Sequence, residues 1–436
     1  MIPSPIIGAC GLLLLLLLLF FGLPIGLTMA TVGLLGLLVL TGIDATFWSM
    51  QTVLFHESFH WVFIVLPMFF LLGNFAFHGD VGKDAYETIN KWLGRFKGSL
   101  LIATIFACAA MGFASGSSLA TAGTFTRLAL PEMRRHDYNL GLACGAIACS
   151  GTLAALIPPS GMMVIFAVLC GSSLGKLMIA GILPGILTAV CFVGTLRVYL
   201  FFRPEFAPVL DIKIPLKEKI KSLKWVGPLL LIIVCILGGL YAGVFTPTEA
   251  GAMGALVTLI FFILRKGIRY RLILESLMDS IRISCMIFII IIGAMFFSRF
   301  LAVSGFIDVI SKFLLSLPVP PHVVLIAILF IYLILGTFME AVAIMVLTLP
   351  IFFPILTKLG FDEALIGIVV LMLVEIGVTT PPLGTNVYVV KSAAGEDVTL
   401  EQIFKGIFPF FIAYLFAVAL VITFPQIALF LPKLMS

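Results

Sequence analysis

Two short strings, Pro158-Pro159-Ser160-Gly161 and Pro381-Pro382-Leu383-Gly384, interrupt apolar segments 223 residues apart in a chain of 436. Proline has no N–H to give and its ring clashes with the preceding turn, so neither segment is an unbroken helix. The pairing extends further. Leu128-Ala129-Leu130-Pro131 recurs as Leu347-Thr348-Leu349-Pro350, and Gly181-Ile182-Leu183-Pro184 recurs as Gly406-Ile407-Phe408-Pro409, at offsets of 219 and 225. Three anchors in one order predict two equivalent halves, each built around a broken helix.

The medium follows from composition. Hydrophobic residues make up 62% of the chain and charged residues 11%, with a mean hydropathy of +1.25, against about 45–50% apolar and about 25% charged in soluble domains. An all-α polytopic membrane protein is the class that fits, because a span needs about 20 apolar residues. Such runs stand near 4–22, 25–42, 61–78, 178–202, 225–245, 249–264, 283–301 and 406–431, while 99–170 and 321–391 are apolar but interrupted. The leucine run Leu12–Leu19 lacks a basic residue before it and a polar region after it, so it reads as a retained first helix and not as a signal peptide. Eight cysteines are scattered without a Cys-x-x-Cys pair, which gives no basis for a disulfide framework or structural zinc. The net charge of +5 lies in loops, so topology explains it and nucleic acid is not an expected partner.

Eighteen of the 26 Lys and Arg fall in four clusters, at 83–97, 127–135, 203–224 and 265–282. The positive-inside rule makes these cytoplasmic. Segment 43–60, the turn Phe245–Glu249, the loop 302–320 and both termini then lie outside. With this orientation 99–133 leaves and rejoins the cytoplasmic face, whereas 321–357 leaves and rejoins the outer face. Each is predicted to be a re-entrant hairpin. Residues 1–211 and 212–436 become inverted repeats, each with three spans, a hairpin (99–133; 321–357), a broken helix (138–170; 364–391) and a last span (178–202; 406–431). Paired Gly/Pro-interrupted segments of this kind mark the substrate and ion sites of secondary transporters.

The breaks imply chemistry. Pro158 and Pro159 deprive the carbonyls of Ala154 and Ala155 of their helical donors; Pro381 and Pro382 do the same to Gly377 and Val378. An unpaired carbonyl in an apolar medium costs about 2–7 kcal/mol, and Na⁺ is a fitting partner. The hairpin tips, Gly112-Phe-Ala-Ser115-Gly116-Ser117-Ser118 and Gly336-Thr337-Phe-Met-Glu340, add small residues, hydroxyls and carbonyls, which are hard donors suited to hard cations. The half-helices after each break present N-termini that favour anions. Ser160, Thr385 and Asn386 there, with Ser117 and Glu340 at the tips, are candidate contacts for a carboxylate or sulfonate. Arg299, near the outer end of its span, is another candidate or a snorkelling interfacial cation.

At these residues the sequence resembles the large membrane subunit of tripartite ATP-independent periplasmic (TRAP) transporters. The strings SGSSLATAGTFTRLALPEMRR, GTLAALIPPS, GKLMIAGILPG, TPTEAGAMGA, GTFMEAVAIMVLTLPIFFPI and VEIGVTTPPLGTNVYVV carry the likeness across nearly the whole chain. The resemblance implies an elevator-type transporter in the bacterial inner membrane with two coupling Na⁺ ions. It also implies a small four-helix membrane subunit and a periplasmic substrate-binding protein as partners, and a small organic anion as cargo. One Na⁺ site would involve Ser115, Ser118, Ala154, Ile157 and Pro158, the other Gly336, Gly377, Thr380 and Leu383. Ala154 stands where the family often has glycine, and Glu340 where aspartate is common.

Three other readings compete. A stand-alone elevator-type Na⁺/dicarboxylate symporter would use the same physics without a binding protein. His56-Glu57-Ser58-Phe59-His60 matches the zinc-protease pattern H-E-x-x-H, yet a third ligand is required, and His78, His136 and His322 are scattered; the segment more simply lies along the outer surface. The basic amphipathic stretch Ile214–Trp225 reads either as a surface for acidic lipid headgroups or as a lateral scaffold helix on the cytoplasmic face, which explains its mixed charges as well.

Overall fold

A computed structural model describes residues 4–57, 61–94, 96–209 and 214–434. The first half comprises α1 (Ser4–Phe20), α2 (Ile25–Thr41), α3 (Ile43–Gln51), α4 (Val65–His78) and α5 (Val81–Leu93). It continues with a hairpin of α6 (Ser99–Ser115) and α7 (Ser118–Arg135), then α8 (Leu140–Gly151), the one-turn α9 (Leu153–Leu156), α10 (Gly161–Cys170) and α11 (Leu174–Phe202). The second half runs through α12 (Leu216–Ile233), α13 (Gly239–Tyr241), α14 (Pro247–Lys266), α15 (Tyr270–Val303) and α16 (Phe306–Ser316). A hairpin of α17 (Pro321–Phe338) and α18 (Ala341–Lys358) follows, then α19 (Glu363–Gly377), α20 (Thr385–Ala394), α21 (Leu400–Thr423) and α22 (Gln426–Lys433).

The expected class is the observed one: an all-α fold with two hairpins and two broken helices. Among the described residues seven helices are long and apolar enough to cross a membrane, or up to nine if each bent pair counts as one span. Helices α1 and α2 have 17 residues each, and at 1.5 Å per residue they reach only about 25 Å, the lower end for a span. Large apolar side chains such as Phe20 and Phe201 point outward, 89% and 81% exposed, as a lipid-facing surface requires.

Local signals recur with the repeat. Asn139 caps α8 by accepting from the Leu142 N–H, and Asp362 caps α19 by accepting from the N–H groups of Ala364 and Leu365. These caps are separated by the same 223 residues as the two Pro-Pro strings. Ser173 and Thr399 likewise cap α11 and α21. Both Pro-Pro bonds are cis. After their caps α8 and α19 are buried almost throughout, as expected of helices apolar on every side. The broken helices are therefore the centre of the molecule.

Helices from both halves pair around this centre. Helix α2 packs on α15 and α14 on α4, while α21 packs on α8 and α11, and α17 on α19. Close approach is bought by glycine: a Cβ on Gly293 of α15 would lie 2.1 Å from the Gly26 carbonyl oxygen of α2, and one on Gly406 of α21 would lie 2.0 Å from that of Gly141 in α8. Such small-residue seams replace the hydrophobic drive that lipid cannot supply. The hairpins interlock across halves, with α7 against α20 and α18 against α10. Arg134 of α7 adds an ion pair to Asp397 at 3.1 Å and a hydrogen bond to the Ala394 carbonyl at 3.3 Å.

Two expectations need correction, and one bend is new. The lateral helix at Ile214–Trp225 is not separate: α12 begins at Leu216 and continues through a π-helical turn to Tyr241, because Thr88 of α5 bonds the Ser222 carbonyl and Arg265 sits over the Trp225 ring. The last span ends at Thr423, where the chain turns at Pro425 into α22. Helices α4 and α5 bend by 57°; the acidic N-terminus of α5 is held there by Arg265 on Asp84 and Lys266 on Asp80. The repeat boundary at 211/212 lies outside the described residues, as do Ser58, Phe59 and His60 of the H-E-x-x-H match.

Candidate ion and substrate site

Each hairpin tip sits on the break of its own half. In the first half a Cβ on Gly112 would fall 2.9 Å from the Ala154 Cα and 3.4 Å from the Ile157 Cβ, so the two backbones nearly touch. Gly116, left-handed at φ 57°, turns the tip; a Cβ there would meet the Pro159 carbonyl oxygen at 2.8 Å and the Ser160 Cα at 3.3 Å. In the second half Gly336 and Gly377 face each other, with a Cβ on either only 2.5 or 2.4 Å from the other's Cα. The Leu383 N–H donates to the Thr337 carbonyl at 3.2 Å and closes that tip on its break. Six of the candidate cation residues, Ser115, Ala154, Ile157, Gly336, Gly377 and Leu383, thus lie at or beside two junctions of the same design.

The junctions differ in their carbonyls. Ala154 and Ala155 are 0% and 1% exposed. Their carbonyls receive no N–H from outside α9 among the described residues, and Pro158 and Pro159, four positions on, have none to offer. At the second break the expectation fails: the Gly377 carbonyl accepts from the Thr380 N–H at 2.9 Å, and the Val378 carbonyl from the Asn386 N–H at 3.1 Å. The chain folds back tightly enough to supply new donors for those the prolines removed. A carbonyl has two lone pairs, so both remain available to a cation as second partner. Thr380 directs its hydroxyl to the Ile376 carbonyl at 2.7 Å.

At the first tip Ser115 and Thr121 share a hydroxyl–hydroxyl bond of 2.8 Å, and Ser117 caps α7 by accepting from the Ala120 N–H at 3.4 Å. Ser118 is buried and donates to Glu375 Oε1 of α19 at 3.4 Å. Glu375 is a candidate residue that the sequence reading did not single out. It is 1% exposed, and its Oε2 has no hydrogen-bond partner. The signal was present, since it is the lone charged side chain between Ala364 and Val378, and an ionisable residue at membrane depth is a functional candidate by default.

The candidate substrate contacts do not gather in one place. Ser115 and Ser117 line a cavity of about 970 Å³ between the first hairpin and α4, α5, α14 and α15, together with Asn74, His78, Thr124 and Arg127. Ser160 starts α10 but is fully buried with its hydroxyl unpartnered, pressed under the Gly116 turn. Asn386 is also fully buried and donates to the Ala148 carbonyl at 3.5 Å, joining α20 to α8. Thr385 is half-buried at the first position of α20. Glu340 is exposed at the start of α18 without a capping bond. Arg299 is exposed on α15, which packs on α2 and α4 and on neither break.

Comparison with known proteins fits this arrangement. Residues 12–427 match the family described as "Tripartite ATP-independent periplasmic transporter, DctM component". The C4-dicarboxylate TRAP transporter large permease protein DctM of Pseudomonas aeruginosa is 33% identical over 386 residues, covering 88% of this chain and 89% of that protein. The sialic acid TRAP transporter large permease protein SiaM of Vibrio cholerae is 29% identical, covering 96% of each. The crystal structure of the YdaH transporter of Alcanivorax borkumensis superposes with a TM-score of 0.62 at 12% identity, over 88% of this chain and 89% of that one.

Proposed function

Because the chain belongs to the DctM component family of the tripartite ATP-independent periplasmic transporters, we propose that it carries the translocation path of a Na⁺-driven importer of a small organic anion. Relatives named for C4-dicarboxylate and sialic acid bring carboxylate cargo into the expected range. The observation that carries the reading is the pair of backbone-close junctions, Gly112 on Ala154 and Gly336 on Gly377, where a hairpin tip meets a helix break whose carbonyls the prolines deprive of helical donors. Such oxygens suit Na⁺. The sets Ser115, Ser118, Ala154, Ile157, Pro158 and Gly336, Gly377, Thr380, Leu383 are the proposed ligands.

The anion passes through the cavity beside the first tip. Ser115 and Ser117 lie on its wall with Arg127, on the cytoplasmic side by the charge rule. An elevator is the motion this packing suits: α6–α11 and α17–α22 interlock through the hairpins, while α2 with α15 and α4 with α14 pair into a frame that meets them mainly where α4 and α5 lie on α6. The partners are a small four-helix membrane subunit and a periplasmic binding protein, and the chain resides in the bacterial inner membrane with both termini periplasmic.

Two Na⁺ accompanying one monoanion move one net charge, worth about 2.3 kcal/mol per 100 mV, and a tenfold Na⁺ gradient adds about 1.4 kcal/mol per ion. Uptake into proteoliposomes holding the chain and its membrane partner is therefore expected to require outside Na⁺ and a soluble binding protein, and to accelerate with an inside-negative potential. Uptake unchanged without Na⁺ removes the coupling; uptake by this chain alone makes it a stand-alone symporter.

A further inference from the structure

Sites built from carbonyls and hydroxyls are neutral, yet the cations proposed for them are charged and lie among buried helices. A compensating carboxylate stands between them. Glu375 is on α19 two residues before Gly377 of the second junction, and its Oε1 accepts from Ser118 of the first hairpin at 3.4 Å. It therefore touches one site and adjoins the other. It is 1% exposed, makes no ion pair among the described residues, and leaves Oε2 without a partner.

A second buried polar group stands on α21, which packs against α19. Tyr414 of α21 is 1% exposed with its hydroxyl unpartnered, and it is within electrostatic reach of Glu375 and beside Thr152. The Thr152 hydroxyl donates to the Cys149 carbonyl at 2.6 Å and can still accept the Tyr414 proton, which leaves the phenol oxygen's own lone pairs free for a cation. Buried polar atoms are almost always bonded, and an exception asks for an unseen partner. Buried charges are paired or hold metal ions. A carboxylate, a phenol and a serine hydroxyl are all hard oxygen donors.

We propose that Glu375, Tyr414 and Ser118 form an anionic cation-binding cluster, which holds Na⁺ between the two helix breaks and makes occupancy of one junction depend on the other. This inference rests on the Na⁺-coupled reading above and adds a residue of negative charge to it. The carboxylate offers Oε2, the phenol offers its oxygen, and Ser118 links the cluster to the first tip.

The test uses the purified chain with its membrane partner, melted in increasing NaCl at ionic strength held constant with choline chloride. Na⁺ is expected to stabilise the wild-type complex along a cooperative curve. Glu375→Gln keeps the shape and removes the charge; its half-saturating Na⁺ is expected to rise about tenfold or more, the scale of a lost charge-assisted contact, with the Hill slope falling toward one. Glu375→Asp, which keeps the charge, should recover part of the response. The proposal is overturned if Glu375→Gln, monodisperse and melting like wild type in choline, keeps the wild-type half-saturation and slope, which would leave the carboxyl holding a proton instead. If that variant does not fold, Tyr414→Phe decides: a several-fold weaker Na⁺ response supports the cluster, an unchanged one overturns it. A wild-type complex indifferent to Na⁺ removes the coupling reading itself, an outcome distinct from a Na⁺ response that ignores Glu375.

Discussion

At the scale of single residues, the second junction leaves no room for a methyl group. Gly336→Ala would put a carbon 2.5 Å from the Gly377 Cα, and overpacking of this kind costs about 1–3 kcal/mol. The variant is expected to melt earlier and to lose most of its Na⁺ stabilisation, which a thermal scan with and without Na⁺ will read. How far such residues were legible depends on where their partners come from. Ala154 and Gly377 follow from the prolines four positions on, because the missing N–H is a local fact. The donors that reach Gly377 and Val378, from Thr380 and Asn386, depend on how the chain doubles back, and one-dimensional spacing does not carry that. Ser160 was readable as a helix start but not as buried, since its cover, the Gly116 turn, comes from a different element.

At the scale of elements, a helix start is written locally, because capping is a contact between residues two or three apart. Thr246 and Glu249 form a complete capping box on α14. Thr246→Ala should cost about 1 kcal/mol, seen as a lower melting temperature with the ion response intact. The course of α12 was harder to read. Its basic first turns look like an interfacial helix, but a tertiary lock decides the matter: Arg265 of α14 reaches both Asp84 of α5 and the Trp225 ring of α12. Arg265→Ala would strand the nearly buried Asp84 carboxylate at a cost of about 3–5 kcal/mol. Chemical denaturation of that variant should show the loss, and the double variant Asp84→Ala/Arg265→Ala should regain part of it.

At the scale of the whole molecule, duplication was visible from three anchors, and the structure adds the caps Asn139 and Asp362 in the same register. The pairing of α2 with α15, α4 with α14 and α8 with α21 was not visible, because it rests on contacts between halves. Gly406→Ala tests one such seam: its Cβ would meet the Gly141 carbonyl oxygen at 2.0 Å. Separation of α21 from α8 should lower stability by about 1–3 kcal/mol and slow uptake, while binding of the soluble partner, measured on the intact complex, stays as in wild type.

The two junctions are twins that have ceased to be identical. Where the helices come closest, the first sets a glycine, Gly112, against an alanine, Ala154; the second sets glycine against glycine. In a saturation library scored for uptake, the two halves of this duplicated chain would therefore not erode alike. Position 154 has already absorbed a methyl group, whereas positions 336 and 377 would admit glycine alone, so the second half would set the tempo at which the chain as a whole can drift.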